Sequence, residues 1–113
     1  MKSSFAIMLL CVEICVSCRN QSDEIQAANA KDYIGQTKTV TGTVHEVKIT
    51  SRAVLLDIGG DYPNQPFTAV YFKQDKGAFT QFQGHKIAVT GTITDYKGKP
   101  EIIISSPAQI VAE

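Results

Sequence analysis

A chain of 113 residues is long enough for one domain, and its content of 43% hydrophobic and 19% charged residues is ordinary for a globular protein. The 11 basic and 11 acidic residues cancel, which excludes a global field that would draw the chain to nucleic acid or to an anionic membrane. Any such partner must therefore be bound by a local patch of the surface.

The first segment of the chain is typical of an export signal. Lys2 precedes an apolar run from Phe5 to Val16, and small Ser17 precedes Cys18. The run is too short to span a membrane, which takes roughly 20 apolar residues. The stretch CVSC, which ends at Cys18, resembles the lipobox of bacterial lipoproteins, although Glu13 interrupts the apolar run and a cysteine stands where that family usually has leucine. Residues 1–18 are therefore predicted to be a signal peptide, either a lipoprotein signal with Cys18 as the lipid acceptor or an ordinary one.

This segment also decides the expected location of the protein. An export signal predicts a periplasmic or cell-envelope protein that contacts the membrane only through a lipid on Cys18. Cys11, Cys15 and Cys18 are all of the cysteines, so the domain that follows has neither a disulfide nor a cysteine-ligated zinc. A metal site built from these cysteines is the alternative, but their spacing does not match a ligand pair. Residues 19–32 are predicted to be a polar linker, and EIQAANAKDYIG fits one or two helical turns ended by Gly35.

From Lys38 onward, short runs rich in Val, Ile, Thr, Tyr and Phe alternate with Gly, Pro and Asn, as is typical of strands and turns. The strands are predicted at Lys38–Lys48, Arg52–Ile58, Phe67–Phe72, Lys86–Tyr96 and Glu101–Ser105. A single short helix is predicted at Asp75–Phe82, where Phe79 and Phe82 are spaced to close one end of a barrel.

Two of these strands repeat one pattern, GQTKTVTGTVHEV from Gly35 and GHKIAVTGTITDY from Gly84. Alternation places Gly42 and Gly91 on the inward face, between aliphatic residues. An inward glycine weakens a strand and usually marks a bulge or a bend where another backbone comes close. The pattern therefore predicts strands that coil to close a barrel; the alternative is a common strand pattern used twice without meaning for topology.

The order of elements is three strands, a short helix and two more strands, with the long glycine-bearing strands first and fourth. This order is that of the OB-fold, an all-β, five-stranded Greek-key barrel, with the one helix between strands 3 and 4. We place this domain at residues 33–113.

Two runs of the chain carry a more specific resemblance. The runs GGDYPNQPFTAVYF and GHKIAVTGTITDYKGKPEIIISSPAQI are similar to bacterial OB-fold proteins of the tRNA-anticodon-binding-like type. The resemblance covers about residues 33–113 and implies an OB-fold and nucleic-acid binding. The functional label of that family rests mainly on fold analogy, and a fold does not imply a function.

In OB-folds, single-stranded nucleic acids lie across the second and third β-strands. Aromatic side chains stack on the bases, and basic side chains contact the phosphates. Here Val54, Leu56 and Ile58 alternate as core residues, which leaves Asp57 outward and in need of a compensating base. The basic residues nearby are Lys48, Arg52, Lys73 and Lys76. The candidate ligand-binding residues are Arg52, Asp57, Tyr62, Asn64, Gln65, Thr68, Lys73, Lys97 and Lys99.

Several of these candidates also have a purely structural interpretation. YPNQP is first of all a turn, and alternatively a recognition loop in which Tyr62 stacks on a base and the two amides pair with it. DYKGKP is a basic hairpin tip that can touch phosphates or can be a simple soluble turn. Phe67 and Tyr71 share one strand face and Phe72 lies on the other, and most such aromatics in small barrels are core residues.

Catalysis has little support in the sequence. His45 and His85 are isolated histidines, expected at the surface, and no motif supplies a nucleophile, a phosphate loop or metal ligands. The sequence therefore predicts a binding module with no catalytic residues, no metal and no cofactor. Two hypotheses stay open for its partner: a single-stranded nucleic acid, or, for an exported envelope protein, a protein, peptide or glycan.

Overall fold

The computed structural model describes residues 23–72 and 76–113 of the chain. Within these ranges the strands are β1 (Glu24–Gln26), β2 (Thr37–Ile49), β3 (Val54–Ile58), β4 (Phe67–Tyr71), β5 (Lys86–Tyr96), β6 (Lys99–Ile104) and β7 (Ile110–Ala112). Three 3₁₀ helices cover Ala27–Tyr33, Lys76–Phe82 and Pro107–Gln109. No helix in the described ranges is long and apolar enough to cross a membrane. The predicted signal segment, including Cys18, lies outside the described residues.

The five longer strands close into a barrel. Strand β2 pairs antiparallel with both β3 and β5, and β4 pairs parallel with β6, so that the strands β2-β3-β4-β6-β5 return to β2. The helix over Lys76–Phe82 lies between the third and fourth barrel strands. This topology confirms the predicted order of elements. The bounds of β5 agree with the prediction, and those of the other four barrel strands differ by one or two residues.

The chain enters the fold earlier than the sequence predicts. Strand β1 pairs in parallel with β2, and Ile25, Ala27 and Ala30 are buried in the core. The Thr41 hydroxyl donates a hydrogen bond to the backbone oxygen of Ile25 at 3.3 Å, which ties the strand to the barrel wall. Part of the stretch expected to be a polar linker therefore belongs to the folded domain, because its small apolar residues cover one side of the barrel.

The end of the described chain adds a short edge strand. Strand β7 pairs with β5, and a turn of 3₁₀ helix precedes it. This turn has a capping box: the Ser106 hydroxyl accepts from the Ala108 N–H, and the Gln109 amide oxygen accepts from the Ser106 N–H at 3.1 Å. The Ser-Pro-x-Gln order of the sequence is thus explained by the local hydrogen bonds that begin the helix.

The barrel core is mainly aliphatic and contains three buried aromatic residues. Phe67, Tyr71 and Phe79 are buried, and Tyr71 meets Phe79 edge to face at 4.6 Å between ring centroids. The ring centroids of Phe79 and Phe82 are 6.2 Å apart, so the second 3₁₀ helix packs aromatic rings onto the barrel. Phe72 lies on the opposite face of the chain and is exposed, as the alternation predicts.

The repeated glycines lie where the barrel wall is tightly packed. The two copies of the pattern pair with each other, with Val40 opposite Val89, in the antiparallel β2–β5 ladder. A Cβ atom on Gly42 would lie 2.7 Å from Ile58 Cγ2, and one on Gly91 would lie 2.6 Å from Ile102 Cγ2. Both distances are too short for real Cβ contacts. The inward placement of the glycines is therefore confirmed, but the group that comes close to each is an isoleucine side chain and not the backbone that the pattern predicts.

A bulge in β2 changes which side chains face outward. The β2–β3 register shifts between Val44 and Glu46, so an extra residue, His45, interrupts the alternation. Beyond it Val47 packs against the core, and Lys48, opposite Leu55, faces the outside of the barrel. This shift brings a lysine onto the face that carries Asp57.

Candidate ligand-binding groove

A concave groove of about 290 Å³ lies on the outer face of β3, β4 and β6. It is bounded by the loop that contains YPNQP, between β3 and β4, and by the hairpin tip between β5 and β6. Six of the nine residues predicted from the sequence line it: Asp57, Tyr62, Gln65, Thr68, Lys97 and Lys99.

The other three predicted residues lie elsewhere. Arg52 is exposed in the loop between β2 and β3, where its backbone N–H donates to Thr50 Oγ1 at 3.2 Å, and it does not line the groove. Asn64 is exposed too, and its N–H donates to the backbone oxygen of Asp61 at 2.7 Å, so it serves the turn. Lys73 lies outside the described residues.

The structure also adds groove residues that the prediction omitted. These are Lys48, Leu55, Pro63, Tyr96 and Glu101. Strict alternation from Val44 would turn Lys48 inward, and only the bulge reverses this. Tyr96 and Glu101 come from the β5–β6 hairpin, whose strands meet the groove through the parallel β4–β6 pairing. The strand order of the barrel, and not a local motif, brings these side chains to the site.

One wall of the groove stacks a carboxylate, an ammonium group and an aromatic ring. The side chain of Asp57 is only 2% exposed, and its Oδ2 lies 3.2 Å from Lys48 Nζ. The same Nζ lies 3.6 Å from the centroid of the Tyr62 ring. Lys48 is therefore the compensating base that Asp57 requires, and its contact with the ring is a cation–π interaction. The distance to Oδ2 is that of an ion pair, although this oxygen has no partner with hydrogen-bond geometry.

The β5–β6 hairpin repeats the pairing of a ring with a lysine. Lys97 Nζ lies 5.3 Å from the centroid of the Tyr96 ring. Lys97 and Gly98 form the turn of the β5–β6 hairpin with φ values of 51° and 86°. Two positive φ values at the centre of a two-residue hairpin are typical of a type I′ turn, where a lysine is unusual. The turn thus holds a long basic side chain at a position that favours Asn or Gly.

The loop that carries Tyr62 is fastened to the barrel by the third lysine. Lys99 Nζ donates to the backbone oxygen of Pro63 and also to that of Gln65, at 3.5 Å for the latter. These bonds join β6 to the loop between β3 and β4. Lys99 is thus a positioning residue for the loop. YPNQP forms a turn and also lies beside the groove.

The groove contains charges of both signs. Three lysines line it together with Asp57 and Glu101, which lie on either side of Thr68 in the paired strands. Partial burial raises the pKa of the Glu101 carboxyl above its ordinary value. Protonation of Glu101 therefore begins at a higher pH than in a free glutamate, and it leaves the groove more positive.

A second concavity of about 380 Å³ lies elsewhere on the barrel, near Gly42 and His45. His45 Nδ1 lies 3.1 Å from Asp61 Oδ1. No sequence motif indicates a partner for this histidine, but the fold brings Asp61 beside it. Both side chains are exposed, and a pair of this kind contributes little to stability. The described part of the chain has no cluster of three or more potential metal ligands.

Sequence comparison finds no matching family model and no matching curated protein. Solved structures do match the fold. An OBody bound to hen egg-white lysozyme has a TM-score of 0.57 and 17% identity, with 79% of this chain and 91% of that chain covered. The domain has the OB-fold.

Two larger proteins contain a domain of this fold. A putative aspartyl-tRNA synthetase from Leishmania major Friedlin matches with a TM-score of 0.56 and 9% identity over 79% of this chain. RecG bound to a three-way DNA junction matches with a TM-score of 0.53 and 19% identity over 80% of this chain. This chain spans only 20% of the synthetase chain and 12% of RecG. At these identities the likeness shows the fold alone.

Proposed function

We propose that this chain is a binding module and not an enzyme, and that it binds single-stranded nucleic acid in the groove between the YPNQP loop and the β5–β6 hairpin. The observation that carries the proposal is the pair of exposed rings, Tyr62 and Tyr96, that line one groove, each with a lysine ammonium group beside it.

This arrangement suits the two parts of a nucleotide. An exposed aromatic ring is a platform for a base of any sequence, and a lysine nearby attracts the phosphate. The groove crosses the second and third barrel strands, which is the surface that OB-folds use for oligonucleotides. The likeness to RecG bound to DNA and to an aspartyl-tRNA synthetase adds support by fold analogy only.

The salt dependence of binding tests the proposal. Lys97 and Lys48 are the two groove lysines not used to fasten the loop, so few phosphates are contacted. For single strands, log K falls with log salt by about 0.7 per contact, which gives a slope of about −1.4 for two contacts. We expect this slope when the full chain is titrated with a labelled dT strand and fluorescence anisotropy is measured. Binding that does not change between low and physiological salt would exclude phosphate contacts in the groove.

Replacing Lys97 with asparagine separates binding from stability. Asn adopts positive φ more readily than lysine, so Lys97→Asn is expected to raise the free energy of unfolding by a few tenths to about 1 kcal/mol. The same change removes a phosphate contact and should reduce the salt slope by about 0.7. Thermal unfolding and anisotropy titrations measure the two effects on one sample.

Lys31→Asn is the matched control, because Lys31 is exposed on the first 3₁₀ helix and does not line the groove. It removes the same charge and should leave the slope unchanged. Equal losses of slope in both variants would assign the salt effect to net charge and not to the hairpin tip.

A protein, peptide or glycan partner in the cell envelope is the second candidate. Leu55, Val70 and Ile103 lie side by side across β3, β4 and β6 on the face that holds the groove. Val70 is buried, Leu55 is half-buried and Ile103 is exposed, so Ile103 and part of Leu55 are the apolar surface that a partner would bury. This candidate also depends on export through the segment that ends at Cys18. Fractionation with the mass of the mature N-terminus tests it, since an intact Met1 in the cytoplasm would remove its main support.

A further inference from the structure

One carboxylate in the candidate groove has no partner of opposite charge. Glu101 lines the groove and is half-buried, so part of its surface is accessible to a ligand there. The Thr94 hydroxyl donates to the backbone oxygen of Glu101 at 3.2 Å, but no hydrogen bond or ion pair within the described part of the chain reaches the carboxylate itself. The other carboxylate of the groove, Asp57, is paired with Lys48. Glu101 is therefore an uncompensated negative charge in a site proposed to hold phosphates.

The neighbours of Glu101 do not neutralise it. In the paired strands it lies opposite Thr94 of β5 and Thr68 of β4, and neither side chain carries a charge. Lys99, two residues earlier on β6, lies on the same face of the strand, but its ammonium group donates to backbone oxygens of the YPNQP loop. The charged and titratable side chains that border the groove from all the elements around it are Lys48, Asp57, Tyr62, Tyr96, Lys97 and Lys99.

A phosphate in the groove lies within range of this carboxylate charge. A groove of about 290 Å³ has the volume of a sphere roughly 8 Å across, which is about the screening length at physiological salt. Repulsion between a phosphate and the carboxylate is therefore only partly screened. Burial already raises the pKa of the Glu101 carboxyl above its ordinary value, and an anion beside it raises the pKa further, because both disfavour the charged form.

We infer, on the basis of the proposed function, that a single strand binds together with a proton, which passes from the solvent to the carboxylate of Glu101 as a phosphate enters the groove. Binding of the proton and binding of the strand are then linked, and each raises the affinity for the other by the same factor. The affinity for the strand should rise as the pH falls, first through the pKa of Glu101 in the complex and then through its lower pKa in the free protein. Below both values Glu101 is neutral in either state, and the affinity stops rising.

Titrations of the full chain at a series of pH values test this linkage. The probe is a labelled dT strand of about 12 nucleotides, because neither thymine nor a phosphodiester takes up a proton in weak acid. Anisotropy is measured at constant ionic strength between about pH 8 and about pH 4.5, a range that includes the titration of a glutamate with a raised pKa. We expect the affinity to rise about threefold to tenfold toward the acid end, as for unit charges roughly 8 Å apart near a protein surface. Thermal unfolding at each pH checks that the chain stays folded.

Two controls accompany the variant that assigns the effect to Glu101. Glu101→Gln keeps the size of the side chain and removes the carboxylate, so it should bind at neutral pH with the affinity that the wild type reaches only in acid. Its affinity should then change little with pH. Glu24→Gln removes the same charge from β1, where Glu24 is exposed and does not line the groove, and it should keep the wild-type pH profile. His45→Gln should also keep the profile, and it is needed because histidines gain a proton in the same range.

The outcomes separate this inference from the proposed function. Binding that depends on salt but is equal at every pH would overturn the inference alone. A pH profile that His45→Gln abolishes and Glu101→Gln retains would overturn it too, as would an equal gain of affinity in Glu24→Gln and Glu101→Gln, which would assign the effect to net charge. If the strand does not bind at any pH in this range, the proposed function itself fails.

Discussion

Replacing Gly91 with alanine is expected to lower the free energy of unfolding by about 1–3 kcal/mol, as overpacking of a filled core does. The new Cβ would lie 2.6 Å from Ile102 Cγ2 and 3.3 Å from Gln109 Nε2. Ile102 is fully buried, so it cannot move aside without disturbing the core. Gln109 Nε2 donates to the backbone oxygen of Thr90 at 2.9 Å, and a shift of this amide would strain the cap of the third helix as well.

The same change at Gly42 should have a similar effect, because its Cβ would lie 2.7 Å from Ile58 Cγ2 and 3.1 Å from the Cβ of Ala27. Thermal unfolding measures both variants, with a fall in Tm of about 4–8 °C for each 1 kcal/mol. Gly77→Ala is the control, since nothing lies within 4 Å of a Cβ there and its φ is not positive. If Gly91→Ala unfolds at the wild-type temperature, the repeated glycines are not needed for barrel closure.

A double-mutant cycle locates the strain. Ile102→Ala removes the side chain that a Cβ on Gly91 would meet, at its own cost in stability. In that background Gly91→Ala should cost much less than in the wild type, because residues in contact are coupled. Additive losses would show that the cost of alanine at Gly91 comes from another contact or from the backbone.

The barrel could be predicted because its strands are marked in the sequence by local turn residues or by the repeated glycine pattern. Strand β5 is bounded by Gly84 and the Lys97-Gly98 turn, and its bounds are the same in the sequence and in the structure. Strand β1 was not predicted, because three residues are too few to show a periodicity. Its pairing with β2 depends on the burial of Ile25 against other parts of the fold. Strand β7 was missed for the same reason.

The groove could be predicted only in part. Alternation along β3 and the turn residues of YPNQP were enough to name Asp57 and Tyr62. Lys48 was not assigned to the groove, because the bulge at His45 reverses the alternation of β2 and no glycine marks it in the sequence. The role of Lys99 in fastening the YPNQP loop was also invisible, since it depends on contacts between segments 34 residues or more apart.

Removing either groove ring should cost most of the affinity for a single strand. Tyr62→Ala and Tyr96→Ala are each expected to weaken binding by about 1–3 kcal/mol, the cost of losing one stacked base. Tyr62→Phe and Tyr96→Phe keep the ring and should bind nearly as well as the wild type, because stacking needs the face of the ring and not the hydroxyl. Anisotropy titrations with a dT strand measure all four variants.

The controls for this test use the same kind of side chain. Tyr62 and Tyr96 are 63% and 57% exposed, so their truncation should change the Tm little, and a loss of binding cannot then be assigned to unfolding. Phe72 is 56% exposed and does not line the groove, so Phe72→Ala should leave the affinity unchanged. Equal losses at all three positions would indicate a general hydrophobic attraction. Losses confined to the two tyrosines place the bases between the YPNQP loop and the β5–β6 hairpin.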